Sequence, residues 1–138
     1  MMADCVFCRI VAKQIPATVV HEDEHTLAFM DIGQVNPGHV LVALKKHAEN
    51  IFALDETQAA AVFRAAAKVA RAIRAGFEPQ GLSVYQANGA AAGQTVFHLH
   101  VHLVPRYEGD GMALTWPVKN PPREKLAEYA EKIRARLG

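Results

Sequence analysis

Residues 93–106 read GQTVFHLHVHLVPR, and the three histidines in this run, His98, His100 and His102, fall on every second position. A period of two belongs to a β-strand, in which alternate side chains leave opposite faces. The imidazoles therefore share one face, and Phe97, Leu99, Val101 and Leu103 take the other. Such a strand makes two demands on the chain. A packing layer must cover its apolar side, and its polar side must have a use for adjacent imidazoles.

The sequence offers that layer. Asp55 reads as a helix N-cap with Gln58 as its capping-box partner three residues on. Ala59, Val62, Phe63, Ala66, Val69, Ala70 and Ile73 then recur at helical spacing, with Arg64, Lys68, Arg71 and Arg74 on the other side and Gly76 as the stop. The alanine-rich face suits close approach to a sheet. Further strands are expected at Thr18–His21 and Thr26–Met30, joined by the polar turn 21–25. His39–Leu44, after the Asn36-Pro37-Gly38 turn, is nearly continuous in apolar residues and reads as a central strand. Leu82–Ala87 is another candidate. Pro105 and the segment 108–111 are expected to end the histidine strand.

Residues 4–15 carry one or two helical turns closed by Pro16, and Leu126, Tyr129, Ile133 and Leu137 give residues 122–137 a helical period. The expected fold class is α+β: an antiparallel sheet of about five strands with one long helix on one face, plus short N-terminal and C-terminal helices. Residues 1–138 read as a single domain with a helical C-terminal extension over 117–138.

Composition excludes several classes of function. With 51% hydrophobic and 21% charged residues the chain is not of a disordered type. A net charge of +1 gives no general attraction to polyanions, so neither long nucleic acid nor an anionic membrane is an expected partner. Charges interrupt every apolar run, and the N-terminus has no secretory pattern, so a cytoplasmic location is expected. In that reducing setting Cys5 and Cys8 point to metal or redox use rather than a disulfide.

Three uses of the histidine row are open from the residues alone. His-x-His on a strand can clip a catalytic zinc, with His39 as a further ligand, but no acidic residue lies between Glu78 and Glu108 to support it. An imidazole can instead act as a nucleophile when one nitrogen keeps its proton on an acceptor and the other aims a lone pair at an electrophile. Gly93-Gln94-Thr95 before the strand supplies uncharged donors suited to a phosphoryl group, so attack by His100 would give a covalent phosphoramidate that water then releases. The third use is a hydrogen-bonded row with no chemistry. Strict alternation after a Gly-Gln-Thr loop favours chemistry. The Cys5-x-x-Cys8 pair alone reads either as two buried thiols or as half of a zinc site.

From Cys5 to Trp116 the chain resembles bacterial members of the histidine triad family, near its Hint branch. The matching segments are CVFCRIVAKQIPA, LAFMDI at 27–32, PGHVLVALKKH at 37–47, NGAAAGQTVFHLHVH at 88–102 and PRY at 105–107. The resemblance implies that His100 becomes nucleotidylated and that His102 binds the α-phosphate beside it. It implies that Gly93, Gln94 and Thr95 hold phosphate or leaving-group oxygens and that His39 supports the row, of which His98 is the first member. Asp31 and Asn88 would lie around ribose and phosphate, although each is also an ordinary turn residue, and Phe29 and Ile32 would form the base pocket.

A closed structural zinc on Cys5, Cys8, His47 and His98 is further implied, with no organic cofactor. The implied activity is hydrolysis or nucleotidyl transfer at the α-phosphate of purine nucleoside phosphoramidates, with dinucleoside polyphosphates second. The competing readings are a zinc-dependent metallohydrolase using His98, His100 and His102, and a nucleotide-binding scaffold. Family members form homodimers by pairing sheets and long helices, so a homodimer is expected. Two positions depart from the pattern: Thr95 stands where serine is common, and Leu44 where proline is usual.

Overall fold

Short apolar runs separated by turn residues build a sheet before anything else. In the computed structural model, which describes residues 4–113 and 115–138, five strands pair antiparallel in the order β1-β2-β3-β5-β4. They are β1 (Val19–Glu22), β2 (Thr26–Met30), β3 (Val40–Leu44), β4 (Gly81–Tyr85) and β5 (His100–Arg106). Three helices accompany them: α1 (Val6–Val11), α2 (Glu56–Phe77) and α3 (Arg123–Arg134). The expected α+β architecture is what forms. β3 is buried at every position between β2 and β5, as its unbroken apolar run requires.

α2 starts as the sequence indicates. The Asp55 carboxylate accepts the Gln58 N–H at 2.8 Å and the Gln58 amide oxygen accepts the Asp55 N–H at 3.0 Å. Val62, Ala65, Ala66, Val69 and Ile73 bury against Ala28, Val42, Leu99, Val101 and Leu103 on one face of the sheet. The alanines bring the helix axis close to the strands. Phe63, assigned to this face by spacing, instead points to solvent at 64% exposure. Gly76 does not end the helix either. The helix continues through Phe77, whose ring sits on Gly38, and Glu78 takes the left-handed cap with φ 50° and ψ 47°.

The opposite face of the sheet carries a smaller layer. Phe7 of α1 packs with Leu27, Phe29, Leu41 and Ala43. This is the face toward which the histidines project.

The histidine run departs from the sequence expectation in three ways. β5 begins at His100, so His98 lies in the bend before it. The alternation survives because the Leu99 N–H donates to the Ala48 carbonyl at 2.7 Å and the Leu99 carbonyl accepts the Leu44 N–H at 3.3 Å. Phe97 is exposed rather than packed with Leu99, Val101 and Leu103. Pro105 does not end the strand, which runs to Arg106. Beyond Leu103 only β4 pairs with β5, so one edge is open at a residue without an N–H.

β4 stops at Tyr85, two residues short of the expected end, because Gln86 turns its amide into the 86–88 loop. In α3 the expected apolar stripe exists, but Leu126, Tyr129 and Ile133, with Leu137 just beyond the helix, remain exposed. Among the described residues no helix is long and apolar enough to cross a membrane.

Candidate active site and metal centre

The bend before β5 turns the His98 ring away from the two histidines that follow it. Its Nε2–H donates to the Leu44 carbonyl at 2.6 Å, which leaves the lone pair on Nδ1. That nitrogen lies 3.3 Å from Cys5 Sγ, 3.5 Å from Cys8 Sγ and 3.2 Å from His47 Nδ1, and Cys8 Sγ is 3.3 Å from His47 Nδ1. Cys5 caps α1, with its Sγ accepting the Cys8 N–H, so one short helix presents both thiols.

Zinc bonds of about 2.0–2.1 Å to nitrogen and 2.3 Å to sulfur place tetrahedral ligand atoms roughly 3.3–3.8 Å apart. The observed spacings fall close to that range, and all four ligand atoms lie within 4.8 Å of one another. Burial pushes the Cys5 thiol up and the His98 imidazole down, which keeps both uncharged. A dication reverses the thiol preference by binding thiolate. The donor set thus fits a structural zinc: four protein ligands, and a second-sphere carbonyl that orients the His98 ring.

His100 and His102 face a different space. The His100 Nδ1–H donates to the His98 carbonyl at 2.6 Å, so the free lone pair is on Nε2. Phe7 stacks edge-on against this ring at 4.9 Å, and burial lowers the His100 pKa, favouring the neutral imidazole. His39, buried on the loop before β3, accepts the Val35 N–H on Nδ1 at 3.3 Å, which puts its proton on Nε2. From there it donates to His102 Nδ1 at 2.9 Å. The Nε2–H of His102 is the donor left over. Asp31 Oδ2 stands 3.4 Å from His39 Nε2 and 3.8 Å from His102 Nδ1. Burial, with the neighbouring His100 and His39, pushes His102 down to about 4.

His100 and His102 border a cleft of about 580 Å³. Val6, Phe7 and Ile10 of α1 form one wall with Ile15, Pro16 and Ala17. Phe29, Ile32, Leu41 and Val96 extend the apolar lining, and Thr18, Asp31, Thr95, His100 and His102 are its polar members. An apolar slot with a few convergent polar groups is the shape of a small-molecule site.

The geometry corrects several sequence expectations. The three histidines do not converge on one point as a catalytic zinc trio would require, because His98 turns to the thiols. The carboxylate missing from 79–107 is supplied by Asp31, distant in sequence. Gln94 does not offer its amide to the cleft: it is buried, accepting the Gly89 N–H at 2.7 Å and donating to the carbonyls of Glu49 at 2.7 Å and Val96 at 3.2 Å. Asn88 is likewise spent on the protein, on the Ile51 N–H of the 51–53 turn at 2.8 Å and on the Gln86 amide at 2.7 Å in both directions. Gly93 adopts φ 92°, where a Cβ would come within 3.2 Å of the Tyr85 hydroxyl. Ile32 is fully exposed at the cleft rim and Phe29 is buried in its wall.

Phe7 and Val96 were not singled out by spacing, yet both line the cleft. Phe7 had one signal: it lies between the two cysteines, and a site closing on them must bury it.

Comparison with known proteins gives a consistent picture. The profile of the HIT domain family matches residues 12–109. A crystal structure of a HIT family member from Bacillus subtilis superposes with a TM-score of 0.93 at 46% identity, covering 98% of each chain. The adenosine 5'-monophosphoramidase hnt1 of Schizosaccharomyces pombe is 34% identical over 134 residues, 96% of this chain and 98% of its own. A Zn-bound histidine triad family protein from Mycobacterium smegmatis superposes with a TM-score of 0.75 at 34% identity, covering 96% of this chain and 98% of that one.

Proposed function

The chain belongs to the HIT family, and within it we propose a hydrolase that cleaves the bond at the α-phosphate of purine nucleoside phosphoramidates through a nucleotidyl-His100 intermediate. The observation that carries this reading is the tautomer of His100: its proton is held by the His98 carbonyl at 2.6 Å, so the nitrogen left for the cleft carries a lone pair. The resemblance to a monophosphoramidase over nearly the whole chain supports the substrate class.

In this reading the base lies against Phe29 and Ile32, the ribose reaches Asp31, and the α-phosphate sits over His100 and His102. Nε2 of His100 attacks phosphorus. An N–P bond forms as the P–N bond of the substrate breaks, and the leaving amine takes up a proton from solvent at the open mouth of the cleft. The ring becomes cationic as it is phosphorylated. Its Nδ1–H then donates more strongly to the His98 carbonyl, which stabilises the charge where it develops. His102, neutral and supported by His39, donates its Nε2–H to a phosphate oxygen. Thr95, on the cleft wall, offers a hydroxyl near the leaving group, while Gly93 and the buried Gln94 set the path of that loop. Water then attacks the phosphorus and gives up a proton to solvent as the N–P bond breaks, and the nucleoside monophosphate leaves with neutral His100 restored.

A zinc on Cys5, Cys8, His47 and His98 would pin α1 and the bend before β5, and so hold the His98 carbonyl against His100. It would not touch the substrate. The edge position of β4 and the exposed Phe63 on α2 support the expected homodimer, formed by strand and helix pairing. Replacing His100 by Ala tests the reading: turnover of an adenosine phosphoramidate should fall by about 10³-fold or more in a folded variant. A variant that keeps full turnover rejects the covalent route.

A further inference from the structure

Gln34 holds four hydrogen bonds on one side-chain amide, although its position is exposed. Nε2 donates to the His39 carbonyl at 2.7 Å and to the Asp31 carbonyl. Oε1 accepts the N–H groups of Gly38 at 2.9 Å and His39 at 3.0 Å. Both donor hydrogens and both acceptor directions of the amide are therefore used. A glutamine kept for solubility has no reason to be fixed in this way.

The two residues it ties together are the ends of one loop, and each carries a side chain at the histidine cluster. Asp31 leaves β2 and His39 enters β3. Gln34 bridges their carbonyls, alongside the backbone bond from the Asp31 N–H to the His39 carbonyl at 3.1 Å. The next residue, Val35, is the one whose N–H meets His39 Nδ1 at 3.3 Å. A bond of that length is at the limit of what fixes a tautomer. It depends on where residues 34 and 35 are held.

We propose that Gln34 is a positioning residue of the reaction: by clamping the 31–39 loop it keeps the Val35 N–H on His39 Nδ1 and so fixes His102 as a donor to the α-phosphate. With Nδ1 of His39 occupied as an acceptor, its Nε2–H donates to His102 Nδ1, and His102 keeps its proton on Nε2 for the substrate. If the clamp is lost, the Val35 N–H and the Asp31 carboxylate, 3.4 Å from His39 Nε2, both lose their hold on the ring, and His39 is free to carry its proton on Nδ1 instead. Its Nε2 then presents a lone pair to His102, whose proton moves to Nδ1 to meet it. His102 now aims a lone pair at a phosphate oxygen. Attraction becomes repulsion at the phosphate, with no change of net charge in the histidine pair.

This rests on the reading of His102 as a phosphate donor, and it has a signature that simple loosening lacks. Affinity for a nucleotide should fall by more than affinity for the nucleoside, which shares the Asp31 and Ile32 contacts but has no phosphate. The test uses the full chain with its metal complement and titrates AMP and adenosine into the wild type, Gln34→Ala, Gln34→Glu and Asn36→Ala. Gln34→Glu keeps the two acceptor bonds but loses both donors. Asn36→Ala removes the outer anchor of the same loop, the bonds from Asn36 Nδ2 to the Pro105 carbonyl at 2.8 Å and to Asp110 Oδ2 at 2.9 Å, and leaves the Gln34 amide in place.

Both Gln34 variants should lose about tenfold or more of the AMP preference over adenosine, the scale of one hydrogen bond to a charged group. Asn36→Ala should lower thermal stability and keep the preference. Nitrogen-15 shifts of the imidazoles should report the tautomer exchange at His39 and His102 in the Gln34 variants alone. If the Gln34 variants retain the wild-type preference, or if Asn36→Ala loses it equally, the assignment is wrong. If the wild type itself binds AMP no better than adenosine, it is the phosphate role of His102 that fails.

Discussion

The carbonyl oxygen of His98 accepts the Nδ1–H of His100 at 2.6 Å, while the His98 ring turns to Cys5, Cys8 and His47. One residue thus joins the candidate metal centre to the proposed nucleophile through its own backbone.

Removing the metal should therefore be felt at His100. Chelation, or Cys8→Ala, should lower the thermal midpoint by roughly 10 °C, the scale of a few kcal/mol in a domain of this size. It should also slow turnover, because the carbonyl that orients His100 is no longer pinned. Zinc content measured on the purified protein, followed by melting with and without chelator, checks this. Protein that binds no zinc at four histidine and cysteine ligands, or melts unchanged after stripping, contradicts it.

Acid should act through His102. Its folded value is about 4 against an ordinary 6.5, so between these pH values the unfolded chain binds a proton that the folded one refuses. The stabilising contribution is complete above pH 6.5 and is lost as pH falls toward 4. His39 and His100 are lowered in the same direction by burial. Melting at intervals across this window should show a decline that His102→Asn makes shallower. A midpoint that rises on acidification from 6.5 to 4.5 would show that the sign is wrong.

Much of this fold is legible in the sequence, and the reasons for the rest are physical. The capping box at Asp55 and Gln58, the buried run of β3 and the alternation of Leu99, Val101 and Leu103 are local patterns with one reading each. Gly76 and Pro105 mislead because tertiary context overrides them: Phe77 has a seat on Gly38, and β5 has an open edge at Pro105. At the site, the imidazoles and thiols announce themselves by residue type. The amides of Gln94, Asn88 and Gln34 do not, because a glutamine or asparagine in a loop is equally able to face a ligand or to hold its own backbone. Gln94 and Asn88 do the second, and only coordinates tell the two apart.

Association should involve the exposed edge. Val84 shares the face of β4 with Leu82, which packs under α2, yet it is 52% exposed, and Phe63 of α2 is 64% exposed. Charged substitutions there, Val84→Glu with Phe63→Glu, should convert a dimer to a monomer in sedimentation while leaving the far-ultraviolet spectrum intact. A wild-type protein that sediments as a monomer at micromolar concentration rejects the pairing.

The central claim is a bond between Nε2 of His100 and phosphorus, and it is open to direct observation. The protein is mixed with an adenosine phosphoramidate for a short time, quenched without acid, and weighed intact and after digestion. The account predicts one added adenylyl group, carried on the peptide containing residue 100 and absent from His100→Ala. Full turnover with no adduct at any mixing time, or an adduct that persists in His100→Ala, would contradict it.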